Sequence, residues 1–113
     1  MRQQPTLAWR MTLEERQRVS DGAGGFAETW ATLGQLWADI NTRGASDGRL
    51  DAGPSTKMRH RLVVRGADET SPMRPKIGQR LRTGSRVFVI HGVSEWDASG
   101  LYLEIWAEEE VLA

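Results

Sequence analysis

Large apolar residues alternate with smaller or polar ones near the start of the chain. Leu7, Trp9, Met11 and Leu13 are interleaved with Ala8, Arg10, Thr12 and Glu14. A period of two with one apolar side predicts a half-buried β-strand. The alternation weakens through Glu15–Arg18 and stops at Ser20-Asp21-Gly22-Ala23-Gly24-Gly25, a strong turn signal. Further on, Met58, His60, Leu62 and Val64 share one side while Arg59, Arg61, Val63 and Arg65 share the other, which predicts a strand with a basic outer face. The clearest prediction is a C-terminal hairpin. Arg86–Val93 is β-branched and aromatic, and Leu101–Glu108 puts Leu101, Leu103, Ile105 and Ala107 on one face. Between them, Ser94–Gly100 supplies the Asp, Ser and Gly of a connection.

Phe26–Ile40 supports two readings. Phe26, Trp30, Leu33, Trp37 and Ile40 fall at helical spacing, which predicts one amphipathic helix. Gly34, Thr29 and Thr32 are poor helix residues and favour two strand pieces, about Phe26–Thr32 and Gln35–Asn41, broken at Gly34 by a bend or bulge. Arg43–Lys57 is glycine-rich and poor in apolar residues, and reads as a long inserted loop. Gly66–Pro75 is a loop with two prolines, Lys76–Thr83 a short extended piece, and Thr83-Gly84-Ser85 a turn. The sum is a mainly β fold over residues 1–113. It is a small antiparallel β-barrel or sandwich of five to six strands with an insertion at about 43–57.

A chain of 113 residues fits one small domain. Lys+Arg and Asp+Glu are 15 each, so the net charge is zero. That balance lacks the basic excess of a dedicated nucleic-acid binder. It also gives little protection against self-association, which a chain living in an assembly tolerates. There is no cysteine, hence no disulfide framework and no thiolate metal site. The N-terminal residues hold no apolar run, and the longest strongly apolar stretch is Val87–Ile90. Neither a signal peptide nor a membrane partner is expected.

Candidate chemistry is sparse. Gly22-Ala23-Gly24-Gly25-Phe26-Ala27 fits the loose pattern G-x-G-x-x-A, but a dinucleotide site needs a buried strand before it, and Glu14–Arg18 is none. A hairpin turn, with Gly22, Gly24 and Gly25 supplying positive φ, explains it better. His60 lies between two arginines and His91 reads as a partly buried strand residue; neither has an evident base or nucleophile beside it. Glu14-Glu15 and Glu108–Glu110 read as solvated edges, the latter discouraging edge-to-edge pairing of the last strand. No catalytic, metal or cofactor-binding residue emerges. Of the five tryptophans, Trp9, Trp30, Trp37 and Trp106 are expected as core or interface anchors, with Trp30 returning the chain to the core. Trp96, in a connection, is expected as an exposed contact.

The order of these features carries more than any one of them. It runs Asp21-Gly22-Ala23-Gly24-Gly25-Phe26, then Glu28-Thr29-Trp30, Trp37-Ala38-Asp39-Ile40, Met58–Arg65, Pro72-Met73-Arg74, Ser85–Val93 and Leu101–Glu108. From about Leu7 to Glu108 the chain resembles the head-tail joining, or head-closure (stopper), proteins of long-tailed bacteriophages and of gene transfer agents. The resemblance implies a small barrel-like domain made in a bacterial cytoplasm and incorporated in the neck of the particle. It implies a homo-oligomeric ring, six- or twelve-fold, between portal and adaptor proteins on the head side and tail terminator or tail tube proteins on the tail side. DNA passes transiently through the channel. The resemblance also tips Phe26–Ile40 towards strands. Many such proteins carry a helix before the strand matching Met58–Arg65; here Gly53-Pro54 ends any helix, and an open loop is expected.

Two functions follow. The first is a structural head-tail connector with Arg43, Asp47, Arg49, Asp51 and Lys57 on a channel or gating loop. Its contacts with neighbouring subunits or rings fall at Gly24, Gly25, Phe26, Arg59, Arg61, Arg65 and Trp96. The alternative is a free-standing small β-barrel that binds nucleic acid through Arg59, Arg61 and Arg65.

Overall fold

The computed structural model describes residues 4–41 and 55–112. Six strands follow one another: β1 (Trp9–Ser20), β2 (Phe26–Asn41), β3 (Ser55–Arg65), β4 (Arg80–Thr83), β5 (Arg86–Glu95) and β6 (Tyr102–Leu112). All neighbours pair antiparallel in the order β1-β2-β3-β6-β5-β4, and pairing of β1 with β4 closes the sheet into a barrel. The expected β class and strand number hold, and closure decides for barrel over sandwich.

Period-two alternation builds the interior. Met11 and Leu13 of β1, Leu62 and Val64 of β3, Leu81 of β4, Phe88 and Ile90 of β5, and Leu103, Ile105 and Ala107 of β6 point inward and are buried. Ala38 completes this core from β2, with Leu33, Leu36, Ile40 and Met73 packed against it. Opposed inward pairs such as Leu13–Leu81 and Leu62–Ile105 lock the register, because a one-residue slip would turn every apolar side chain outward.

Phe26–Ile40 is neither a helix nor two strands. It is one continuous strand with a bulge: Leu13 pairs with Gly34 but Glu14 pairs with Thr32, which leaves Leu33 as the extra residue. A second bulge lies in β5, where Ile90 pairs with Ala107 and Gly92 with Trp106. His91 is therefore the inserted residue and is exposed, not half-buried as its strand position suggested. The piece expected at Lys76–Thr83 is a strand only from Arg80; Lys76 and Gln79 form a turn closed by the Gln79 N–H on the Lys76 carbonyl at 3.1 Å. The insertion predicted at 43–57 also ends earlier, since Ser55, Thr56 and Lys57 belong to β3. Arg43, Asp47, Arg49 and Asp51 lie outside the described residues.

β1 and β2 outrun the barrel. β1 pairs with β4 only over Thr12–Glu14, and β2 pairs with β3 only over Ala38–Asn41, yet β1 and β2 stay paired with each other out to Ser20 and Phe26. The excess length is a two-stranded arm. Strand directions put its tip at the same barrel end as the β5–β6 connection, and the ends of β2 and starts of β3 at the opposite one.

Gly66, after β3, donates its N–H to the Leu101 carbonyl at 2.7 Å. A Cβ there would stand 2.5 Å from the Gly100 carbonyl oxygen and 3.2 Å from that of Leu101. Both obstacles are backbone, so no side chain can give way. Gly66→Ala is expected to cost about 1–3 kcal/mol in urea unfolding; an unchanged midpoint would contradict this packing.

Candidate interaction surfaces

The arm is built from its tip. Asp21 donates its N–H to the Gly25 carbonyl at 3.1 Å, and its carboxylate accepts the N–H groups of Ala23 at 2.8 Å and Gly25 at 3.0 Å. Those two bonds, Ala23 first, hold the Asp21 carboxyl below the usual aspartate range. Gly22 and Gly24 take φ of 78° and 86°, which a side chain rarely adopts, whereas Gly25 does not. The glycine cluster is thus a hairpin turn. Phe26 beside it is 63% exposed, and Val19, opposite Ala27 on the other arm face, 47%.

Register sorts the arm into two faces. Arg16, Arg18 and Ser20 stand opposite Trp30, Glu28 and Phe26 on one; Glu15, Gln17 and Val19 stand opposite Ala31, Thr29 and Ala27 on the other. On the first face the Arg16 and Arg80 guanidinium carbons lie 5.2 and 4.0 Å from the Trp30 ring centre, and that of Arg18 lies 4.5 Å from Phe26. Each such contact is worth roughly 0.5–1 kcal/mol in the open. Isolated two-stranded ribbons are marginal in water, so these stacks, with the Arg16–Glu28 pair at 3.7 Å, supply the arm's own cohesion.

Trp30 is therefore clamped between arginines and is not in the core. No tryptophan is. Trp9, Trp37 and Trp106 are exposed, and Trp96, expected to be the exposed one, is half-buried edge-on to Tyr102 at 5.5 Å. The narrow barrel is filled by aliphatic side chains and Phe88, and the indoles lie outside it with arginines over three of them: Arg16 and Arg80 on Trp30, Arg61 on Trp106, and Arg86 on Trp9.

Two glutamates read from sequence as solvated edges are buried. Glu14 sits at the β1–β4 seam, bound by Arg80 Nε at 2.6 Å and Arg82 Nε at 3.1 Å. Burial pushes its carboxyl up, but the two arginines outweigh that and the net direction is down. Glu109 lies inside the barrel. Arg86 donates to it through Nε at 2.7 Å and a terminal nitrogen at 3.0 Å, and His60 Nε2 lies 2.9 Å away. The Arg86 hydrogen bonds outweigh burial and hold the Glu109 carboxyl low, with the charge of Arg86 and the His60 contact adding to them. His60 meets Phe88 edge-on at 5.2 Å. β6 pairs on both sides as far as Glu109, so Glu108 and Glu109 guard no edge.

On the outer face of β3 two of the three arginines are engaged with neighbouring side chains. Arg59 stands opposite Glu108 in register, Arg61 stacks on Trp106 at 4.3 Å and pairs with Glu104 at 3.5 Å, and Arg65 lies 5.9 Å from Tyr102. Glu108 also binds exposed His91 at 2.7 Å. Acids thus stand beside Arg61 and opposite Arg59, which weakens the positive stripe that nucleic-acid binding would use. Among the described residues no group of three or more His, Cys, Asp or Glu is placed to hold a metal ion.

A groove of about 600 Å³ opens where β2 parts from β3, lined by Leu7, Leu36, Trp37, Ala67 and Met73 among others. Trp37 is 52% exposed there. Of the predicted contacts, Gly24, Gly25 and Phe26 fall on the arm tip, Trp96 in a connection at the same end, and Arg59, Arg61 and Arg65 along one barrel side; Lys57 is in β3. The groove and both buried carboxylates escaped the sequence reading, although Glu109 continues the inward series Leu103, Ile105, Ala107.

The low carboxyls fix the sign of an acid effect. Glu14 and Glu109 fall from an ordinary value of 4.5, so their stabilisation is complete above it and is lost as pH falls through the lower folded values. Glu109→Gln is expected to cost roughly 1–3 kcal/mol at neutral pH and to show a shallower loss of stability below about pH 4.5 than the parent chain. Urea unfolding across pH checks this, and parallel curves would contradict it.

Comparison with known proteins follows the same lines. A search of the solved structures finds a chain of the virion of a native gene transfer agent particle, 39% identical, covering 97% of this chain and 100% of that one with a TM-score of 0.81. The solution structure of a protein from Shigella flexneri 2a is 27% identical over 91% of this chain and 92% of that one, with a TM-score of 0.60. A search of curated proteins finds no match. The family model described as phage head completion protein matches residues 2–110. With nearly the whole chain matched, the resemblance carried by Asp21–Trp30 and the strands after it is borne out, and the chain belongs to the phage head completion protein family.

Proposed function

We propose that this chain is a structural, non-enzymatic connector at the neck of a tailed phage or gene transfer agent particle. It forms a ring that joins the portal and adaptor side of the head to the tail and retains packaged DNA. The observation that carries the reading is the match over residues 2–110 to a head completion family, together with near full-length likeness to a gene transfer agent virion chain. An exposed arm tip of Val19 and Phe26 on a well-packed barrel supports a part made to be covered in an assembly.

In this reading the segment from 42 to 54 meets the channel. Its flanking strand ends, Asn41 and Ser55, lie at the barrel end opposite the arm tip. With Lys57 assigned to β3, its charges are Arg43 and Arg49 against Asp47 and Asp51, a balance suited to touching DNA without gripping it. The arm tip, Trp96 and the outer face of β3 then serve contacts with neighbouring subunits and rings.

Particles made without this chain, and supplied with variants of it, test the reading. Deleting Gly44–Gly53 is expected to leave a folded barrel that enters the neck but leaks DNA or stalls tail joining. Normal DNA retention with the deletion would contradict the gate, and tailed, infectious or transducing particles without the chain would contradict the connector.

A further inference from the structure

We propose that neighbouring copies of this chain join arm to arm, the free edge of β2 in one copy pairing antiparallel with the free edge of β1 in the next. The inference deepens the ring reading and rests on it. Its first support is backbone accounting. Among the described residues, no strand pairs with β2 from Phe26 to Trp37 on the side away from β1, and none pairs with β1 from Glu15 to Ser20 on the side away from β2. Each arm therefore carries two unpaired rows of N–H and C=O groups, ready templates for another strand.

The two edges differ in chemistry. Natural edge strands are guarded by charges, proline or bulges. The stretch Phe26–Thr32 has Glu28 as its one charge and no proline, and the bulge comes only after it at Leu33. The β1 stretch holds Glu15, Arg16 and Arg18. Pairing β1 with β1 would set Arg16 and Arg18 against their like. Pairing β2 with β2 brings Glu28 no cation beyond the Arg16 of its own arm. Pairing β2 with the next copy's β1, arms level, repeats the register within each arm: arginine against Trp30 and Glu28, Ser20 against Phe26. Charge complementarity thus selects the head-to-tail contact, the kind that generates a ring when its rotation closes.

The arm bases fit the same contact. On the β1 side the Lys76–Gln79 turn is held to β1 by Gln79 Nε2 at 3.3 Å from Glu15 Oε1, and it presents Ile77, 70% exposed. On the β2 side lies the groove of Leu36, Trp37, Ala67 and Met73. Each copy carries an exposed apolar residue beside one edge and an apolar groove beside the other, two different surfaces of the kind a heterologous contact joins. Zero net charge sets no long-range repulsion against this stacking.

The chain has no cysteine, which gives a clean background for cross-linking. Gln17 and Thr29 are exposed on the arm face that carries no arginine and oppose each other within one arm. Full-length Gln17→Cys and Thr29→Cys chains of distinguishable mass are mixed, assembled and treated with a short bis-maleimide. Mixed dimers are expected to exceed same-variant dimers by about tenfold or more, as a heterologous contact requires. Same-variant dimers alone, or no cross-link in oligomers that native mass spectrometry finds intact, would overturn arm pairing and leave the ring standing. A chain that stays monomeric at every concentration and with its neck partners would overturn the ring as well.

Discussion

A strand pair longer than the barrel that holds it must leave the core, and everything distinctive about this chain follows from β1 and β2 doing so. β4 reaches only Thr12–Glu14 of β1, and β3 only Ala38–Asn41 of β2. Where the pairing stops, the apolar interior stops too: β1 is buried at Met11, Leu13 and Glu14 and exposed from Arg16 onward. Burial cannot stabilise the arm, so cross-strand stacks of arginine on Trp30 and Phe26 do, at a fraction of the strength of a core.

The barrel can carry such an arm because charged groups are fixed at its weak points. Glu14, one residue past the last core position of β1, binds Arg80 and Arg82 on either side of buried Leu81 and so ties the short seam where the barrel closes. Glu109, His60 and Arg86 fill the interior beyond Ala107, where aliphatic packing gives way. Hydrogen bonds from the arginines and from His60 Nε2 make the two carboxylates tolerable inside a small domain, although His60 Nδ1 is buried without a partner, and removing one arginine would strand the carboxylate it binds.

Much of this was legible in the sequence. The hairpin of β5 and β6, the inward faces of β1 and β3 and the turn at Asp21–Gly25 all follow from alternation and turn chemistry. Phe26–Ile40 misled because the bulge at Leu33 shifts the phase of β2, so Phe26, Trp30, Leu33, Trp37 and Ile40 imitate helical spacing. The tryptophans misled because size argues for burial, while a six-stranded barrel of this width fills with aliphatic residues and Phe88. The partners of Glu14 stand 66 and 68 residues away, beyond any local pattern. Glu109 was within reach, since the period of two that placed Leu103, Ile105 and Ala107 inward continues to it.

The central claim is that the barrel is complete by itself and the arm is completed by assembly. Amide hydrogen exchange on the free chain and on the assembled neck tests it most directly. Barrel amides such as those of Leu62 and Ile105 should be protected in both, and the amides of Ala27–Thr32 should exchange quickly in the free chain and become protected in the assembly. Equal protection of the arm in the two states, or an arm still open in the assembled neck, would contradict the account.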